Sequence, residues 1–162
     1  MRPLLLNTNQ IQTMKTLTKA SVLLILLVIT YTSQAQKAYA LPKLFNGVGN
    51  KISYPKTELE KIFTKSKGSN FHISLPGNFT FTGTVVSSVQ RYKNLKSYII
   101  KSDVLNGAMF SVSERINDDN SITYVGRIVN DKYSDGYELK IDAAGNYFLN
   151  KINMNELLQD QN

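Results

Sequence analysis

Residues 124–139 read YVGRIVNDKYSDGYEL, with three acids, three tyrosines and two glycines in the stretch. Two architectures compete for it: a cation loop between helices, or two strands joined by a turn. As a calcium loop of the EF-hand kind, Asp131 takes the first ligand place, Asp135 the fifth, Gly136 the sixth and Asp142 the twelfth. Tyr133 then falls on the third place, where it is a poor ligand, and the twelfth wants a bidentate Glu. The flanks YVGRIV and YELKI alternate as strands, not as helices. Asp131, Ser134, Asp135 and Gly136 are turn formers, while Tyr124, Tyr137 and Leu139 are strand formers able to fill a core. The expected structure is therefore two strands with a decorated turn. A looser calcium site of Asp131, Asp135 and main-chain carbonyls is the metal alternative.

The same period of two runs outward from this stretch. FHISL puts Phe71, Ile73 and Leu75 on one side, PGN turns the chain, and FTFTGTVV aligns Phe79, Phe81 and Val85 opposite threonines. LKSYIIK is a further strand, and GAMFSVSERI alternates Ala108, Phe110 and Val112 against Met109, Ser111 and Ser113. NDDN turns into SITYVGRIV, YELKID aligns Tyr137, Leu139 and Ile141, and AAGN turns into NYFLNKI. One helix is expected before them, in SYPKTELEKIFTKSKG. Pro55 suits its first turn, Glu58 and Glu60 its N-terminal dipole end, and Gly68 its stop. Leu59, Ile62 and Phe63 share one face of it. Short links between strands imply antiparallel neighbours. The fold class is α+β, mainly β: one antiparallel curved sheet or open barrel of about seven short strands with one N-terminal helix.

The N-terminus reads as an address. Lys15 and Lys19 precede the apolar run VLLILLVIT at residues 22–30. Nine residues make about 14 Å of helix, short of the roughly 30 Å bilayer core. The run leads to SQAQ, with Ser33 and Ala35 small at the −3 and −1 places, which reads as a secretory signal peptide over residues 1–35. Residues 1–13 add nothing a signal needs and read as an over-extended start ahead of Met14. The expected location is exported, extracellular or periplasmic, with no stable membrane span after cleavage. Residues 36–53, with Pro42, Gly47 and Gly49, read as a leader or a loop laid over the domain, and residues 54–162 as one β-rich domain.

The chain has no cysteine, which removes disulfides, thiolate metal sites and a lipid-anchored cysteine from consideration. It carries 19 Lys and Arg against 12 Asp and Glu. The cations concentrate between residues 36 and 101, where only Glu58 and Glu60 oppose them. Such a half fits an acidic surface polymer or another secreted or envelope protein, unless the acidic second half folds back to cancel it. No basic-aromatic cluster or recognised motif points to nucleic acid.

Catalytic chemistry finds little footing. His72 is the only histidine and lies opposite Phe71 and Ile73, on the expected solvent side. One histidine without cysteine does not make the usual zinc set, and no serine sits in a nucleophile elbow. Glu58 and Glu60 point to different helix faces, and Glu114, Asp118 and Asp119 gather at a turn where solvated charge is the default. No catalytic residue and no cofactor is assigned. A small hydrolase or carbohydrate-active enzyme with an unrecognised carboxylate site is the alternative to a binding module. For binding, Tyr54, Tyr92, Tyr98, Tyr133 and Tyr147 exceed what one small core needs. LKSYIIK is expected as the contact strand, through Lys96, Tyr98 and Lys101 with Arg91 and Lys93 just before it. Lysines that guard a bare sheet edge are the defensive reading of the same residues.

LPGNFTFTGTV, GAMFSVSER, YVGRI, YEL and GNYFLNKI together resemble the β-rich N-terminal prodomains of bacterial secreted reprolysin-like metalloproteases. The resemblance spans residues 75–152 and is one of cadence. The zinc-binding His-Glu-x-x-His segment of that family has no counterpart in this sequence. What the resemblance implies is a prodomain-like partner or inhibitor of another exported protein, with no catalytic residue carried over.

Overall fold

The structure, a computed structural model, describes residues 41–159. The expected signal peptide, its cleavage point and the expected over-extended start all lie outside the described residues. In chain order the elements are β1 (Lys51–Ser53), α1 (Lys56–Ile62), β2 (Asn70–Leu75), β3 (Phe79–Tyr92) and β4 (Leu95–Ser102). They continue as β5 (Met109–Ile116), β6 (Ile122–Val129), β7 (Asp135–Ile141), β8 (Tyr147–Asn153) and α2 (Met154–Gln159).

The strands form one eight-stranded antiparallel sheet in the order β1-β8-β7-β6-β5-β4-β3-β2. From β2 to β8 it is a simple meander, as the short links required. The strand beyond the expected set is β1. It lies in the supposed leader and pairs with β8, Ile52 opposite Leu149. The sheet curls into a half-barrel. Three strands separate β3 from β7, a span of roughly 19 Å in a flat sheet. Yet the rings of Phe79 on β3 and Tyr137 on β7 are 5.5 Å apart, edge to face. Inside the curl lie Phe71, Ile73, Leu75, Phe79, Phe81 and Val85, as their alternation demanded. Gly83 shares that face by alternation and leaves no room for a side chain, since a Cβ there would stand 2.2 Å from the Lys101 carbonyl oxygen of β4.

The N-terminal segment closes the half-barrel. Phe45 is buried against Tyr137 at 4.9 Å and Phe79 at 5.9 Å. Its backbone is held from β7 and β8. The Asp135 carboxylate accepts the Leu44 and Phe45 amides, Lys151 Nζ donates to the Phe45 and Val48 carbonyls, and the Tyr137 hydroxyl donates to Gly49 O at 2.6 Å. Burial, with the Asp135 carboxylate beside it, pushes the Tyr137 phenol up to about 12, so it stays a donor.

The helix is shorter than its sequence pattern. It ends at Ile62, where Phe63 turns its amide back to Glu60 O and Lys65 turns back to Ile62 O. The next carbonyls are taken by the sheet, since Lys96 Nζ binds Phe63 O and the Tyr98 hydroxyl binds Phe63 O and Lys65 O. Leu59, Ile62 and Phe63 are buried as one face. Gly68, with φ +88°, serves the turn into β2 instead of stopping the helix.

Candidate binding surface

The face of the sheet turned away from the core carries a row of cations with exposed apolar side chains among them. Across β3 to β7 the register sets Ser87, Ile99, Ser111, Arg127 and Glu138 in one row, and Val89, Ser97, Ser113 and Val125 in the next. Leu95, Arg115 and Thr123 follow. On these strands the outward charges are Lys101, Arg115, Arg127 and Lys140 against a single acid, Glu138. Glu138 accepts Arg127 at 2.8 Å and Lys140 at 2.6 Å. Burial alone would raise the Glu138 carboxyl, but hydrogen bonds and charge from Lys140 and Arg127 outweigh it and hold it below the usual carboxylate range.

Two bulges in β3 shape this face. Register shifts fall between Val85 and Ser87 and between Gln90 and Tyr92, so Val86 and Arg91 are extra residues. An inserted residue flips the alternation beyond it. Gln90 pairs with Lys96 on the core side, but Tyr92 pairs with Leu95 on the outer side. The Gln90 amide bridges the bulge by donating to the Tyr92 and Leu95 carbonyls. Tyr92 is 70% exposed and stands over a groove of about 450 Å³ lined with Leu95, Arg115, Asn117, Thr123 and Val125.

A second groove, of about 540 Å³, meets the first at Val125. It exists because β6 and β7 part. Their pairing covers only Gly126–Leu139, Arg127–Glu138 and Ile128–Tyr137. Beyond Gly126 the strands splay, and the Tyr124 amide binds the Tyr147 hydroxyl in place of a strand carbonyl. Val125 at 61% and Ile141 at 51% exposure flank the opening, with Arg127 and Lys140 beside them. Ile141 was expected in the core with Tyr137 and Leu139. It is exposed because no β6 residue pairs across from it.

The sequence-chosen contact residues do not form one surface. β4 is an interior strand, its backbone used by β3 and β5, so it offers no edge. Tyr98 is 1% exposed with its hydroxyl on Phe63 O and Lys65 O, and it is withdrawn from the contact set as a core residue. Lys96 also faces α1, where a cation near a helix C-terminus is favourable. Arg91 and Lys93 project from the β3–β4 hairpin and Lys101 lies exposed on the outer face. Of the five tyrosines thought to exceed the core, Tyr54, Tyr98 and Tyr147 are buried in it, Tyr133 is partly buried, and Tyr92 is exposed. Val125, Arg115 and the bulge that turns Tyr92 outward were not singled out from the sequence, where a plain alternation puts Gln90 and Tyr92 on one face.

The weak calcium candidates also separate. Asp131 is exposed in the β6–β7 turn, whereas Asp135 opens β7, is 4% exposed and spends its carboxylate on the Leu44 and Phe45 amides. Asp135 is thus a clamp for the N-terminal segment and not the surface turn residue its neighbours suggested. Among the described residues, no three of His, Asp and Glu converge as a metal site would require. His72 is exposed, its Nδ1 2.8 Å from Thr82 Oγ1. Among the described residues no helix is long and apolar enough to cross a membrane.

No family model matches the chain, and neither a curated protein nor a solved structure is significantly similar to it.

Proposed function

We propose that this chain is an exported, non-catalytic binding module that engages a carboxylate-rich partner through the outer sheet face around Tyr92 and Val125. The observation that carries this reading is the pairing of two highly exposed apolar side chains with Arg115 in adjoining grooves, on a face whose strand charges are cationic except for Glu138. Apolar groups rimmed by polar ones mark interaction sites, and tyrosine with arginine is the pairing that binding surfaces favour. Cations on such a face draw in anionic partners and orient them. The role of prodomain-like partner or inhibitor, implied by the sequence resemblance, fits within this reading.

The test uses polyglutamate and polygalacturonate as immobilised carboxylate probes. The purified chain should be retained by at least one of them and elute with salt. Tyr92→Ala and Arg115→Ala should each weaken retention while leaving the melting temperature within a few degrees. Retention that is unchanged in both variants, or no retention of the parent chain at low salt, overturns the proposal. Turnover of a polysaccharide or peptide by the purified chain would also overturn it, in favour of the hydrolase alternative.

A further inference from the structure

The two ends of the sheet are built differently. β1 is three residues long, carries Lys51 with its ammonium 3.9 Å from the Phe148 ring centroid, and is followed within two residues by Pro55. Shortness, a lysine and a nearby proline are how proteins blunt an edge. β2 is twice as long and carries no lysine, although Pro76 follows it directly. Its six residues, NFHISL, include no charged residue, no proline and no bulge. Its register against β3 runs without interruption from Asn70–Thr84 to Leu75–Phe79.

Among the described residues, nothing pairs with the other side of β2. Among the described residues, no backbone or side-chain hydrogen bond from outside β3 reaches the backbone of Asn70–Leu75. Alternate residues of an antiparallel edge strand aim their N–H and C=O groups outward. The side chains do not cover them. Phe71, Ile73 and Leu75 point into the core, while His72 is tied to Thr82 and Ser74 to His72 on their own sheet.

We propose that β2 pairs edge to edge with the β2 of a second copy of this chain, antiparallel about a two-fold axis, so that two eight-stranded sheets run on as one. Three features select a second copy as the occupant. A foreign peptide bound by strand addition draws its specificity from side-chain pockets beside the edge, and no β2 residue lines the two outer-face grooves, the hollow between Leu41 and Asn150, or the one beside Tyr147 and Phe148. An uncharged strand meets its own copy without like-charge repulsion, although the domain around it is rich in cations. The antiparallel sense also keeps apart the lysines that precede β2. Lys65 and Lys67 of each copy come to lie toward the far, Gly77 end of the other, whereas a parallel pair would bring all of them together.

The test is sedimentation of the purified chain over a dilution series, with hydrogen exchange read at the β2 amides. The parent chain should dimerise, and protection of β2 amides should rise with concentration. The double variant His72→Lys/Ser74→Lys changes exposed outer-face positions only and sets lysines against lysines across the two-fold axis. Its dimer dissociation constant should rise by about tenfold or more. Ser111→Lys, on an interior strand of the same face, should leave the constant unchanged. A parent chain that stays monomeric with fast-exchanging β2 amides overturns the proposal and leaves the edge to a foreign strand. Dimers that tolerate the double lysine variant overturn it as well. Should that variant not fold, concentration-dependent protection of the parent β2 amides still decides the matter.

Discussion

The Tyr124 amide donates to the Tyr147 hydroxyl at 3.1 Å, a side chain of β8 reaching across to β6 where β7 no longer does. The Tyr124 phenol is engaged too, donating to Glu114 Oε2 at 3.2 Å, and burial with the nearby Glu114 charge pushes it above the ordinary tyrosine range. The seam beside Val125 therefore opens with the Tyr124 amide still satisfied.

Removing that hydroxyl should unbalance the seam. Tyr147→Phe leaves the buried Tyr124 N–H without its acceptor, at a cost of about 1–3 kcal/mol. Urea unfolding measures it, and exchange at the Tyr124 amide should accelerate more than exchange at Ile128. A variant as stable as the parent would show that the hydroxyl is dispensable there.

The two aspartates near the β6–β7 turn should behave oppositely. Asp131→Asn, on an exposed turn, should change stability by less than about 0.5 kcal/mol. Asp135→Ala removes a buried carboxylate that accepts two amides across more than half the chain, and hydrogen bonds to charged groups contribute about 1.5–3 kcal/mol each. Limited proteolysis should then cut between residues 41 and 50 in the Asp135 variant first. Equal stability of the two variants would remove the clamp.

Gly83→Ala should be among the most damaging small substitutions in the sheet. The added methyl meets main chain, the Lys101 carbonyl at 2.2 Å, which no side-chain rotation relieves. Overpacking of this kind costs about 1–3 kcal/mol or more. Thermal unfolding checks it against Gly145→Ala, where nothing lies within 4 Å and only the positive φ opposes the change.

Acid should loosen the outer face through Glu138. Its folded carboxyl is held below the usual range, so the Arg127–Glu138–Lys140 cluster stabilises the fold above the unfolded value of about 4.3. That stability is lost as pH falls through the lower, folded value. Glu138→Gln should reduce the decline in melting temperature over this acid window and shift it little at neutral pH, since the partners are half exposed. An identical acid profile in the variant would show the pair adds nothing measurable.

The alternation of Phe71, Ile73 and Leu75, of Phe79 and Phe81, and of Phe110 and Val112, with Asn, Asp and Gly at the turns, was enough to set a mainly β meander and to name most of its core. Period-two patterning is a local property, written out residue by residue. In a meander the chain order also sets the strand order, so NFHISL is legible as an edge strand and LKSYIIK as an interior one. Other features were decided only by tertiary structure. A bulge at Arg91 turns Tyr92 outward without altering composition. Asp135 becomes a buried clamp because residues 44 and 45 fold onto it from 90 positions away. Ile141 is left outside because β7 loses its β6 partner after Leu139. Each depends on which distant segments meet, and burial, unlike periodicity, is a property of the meeting and not of the residue.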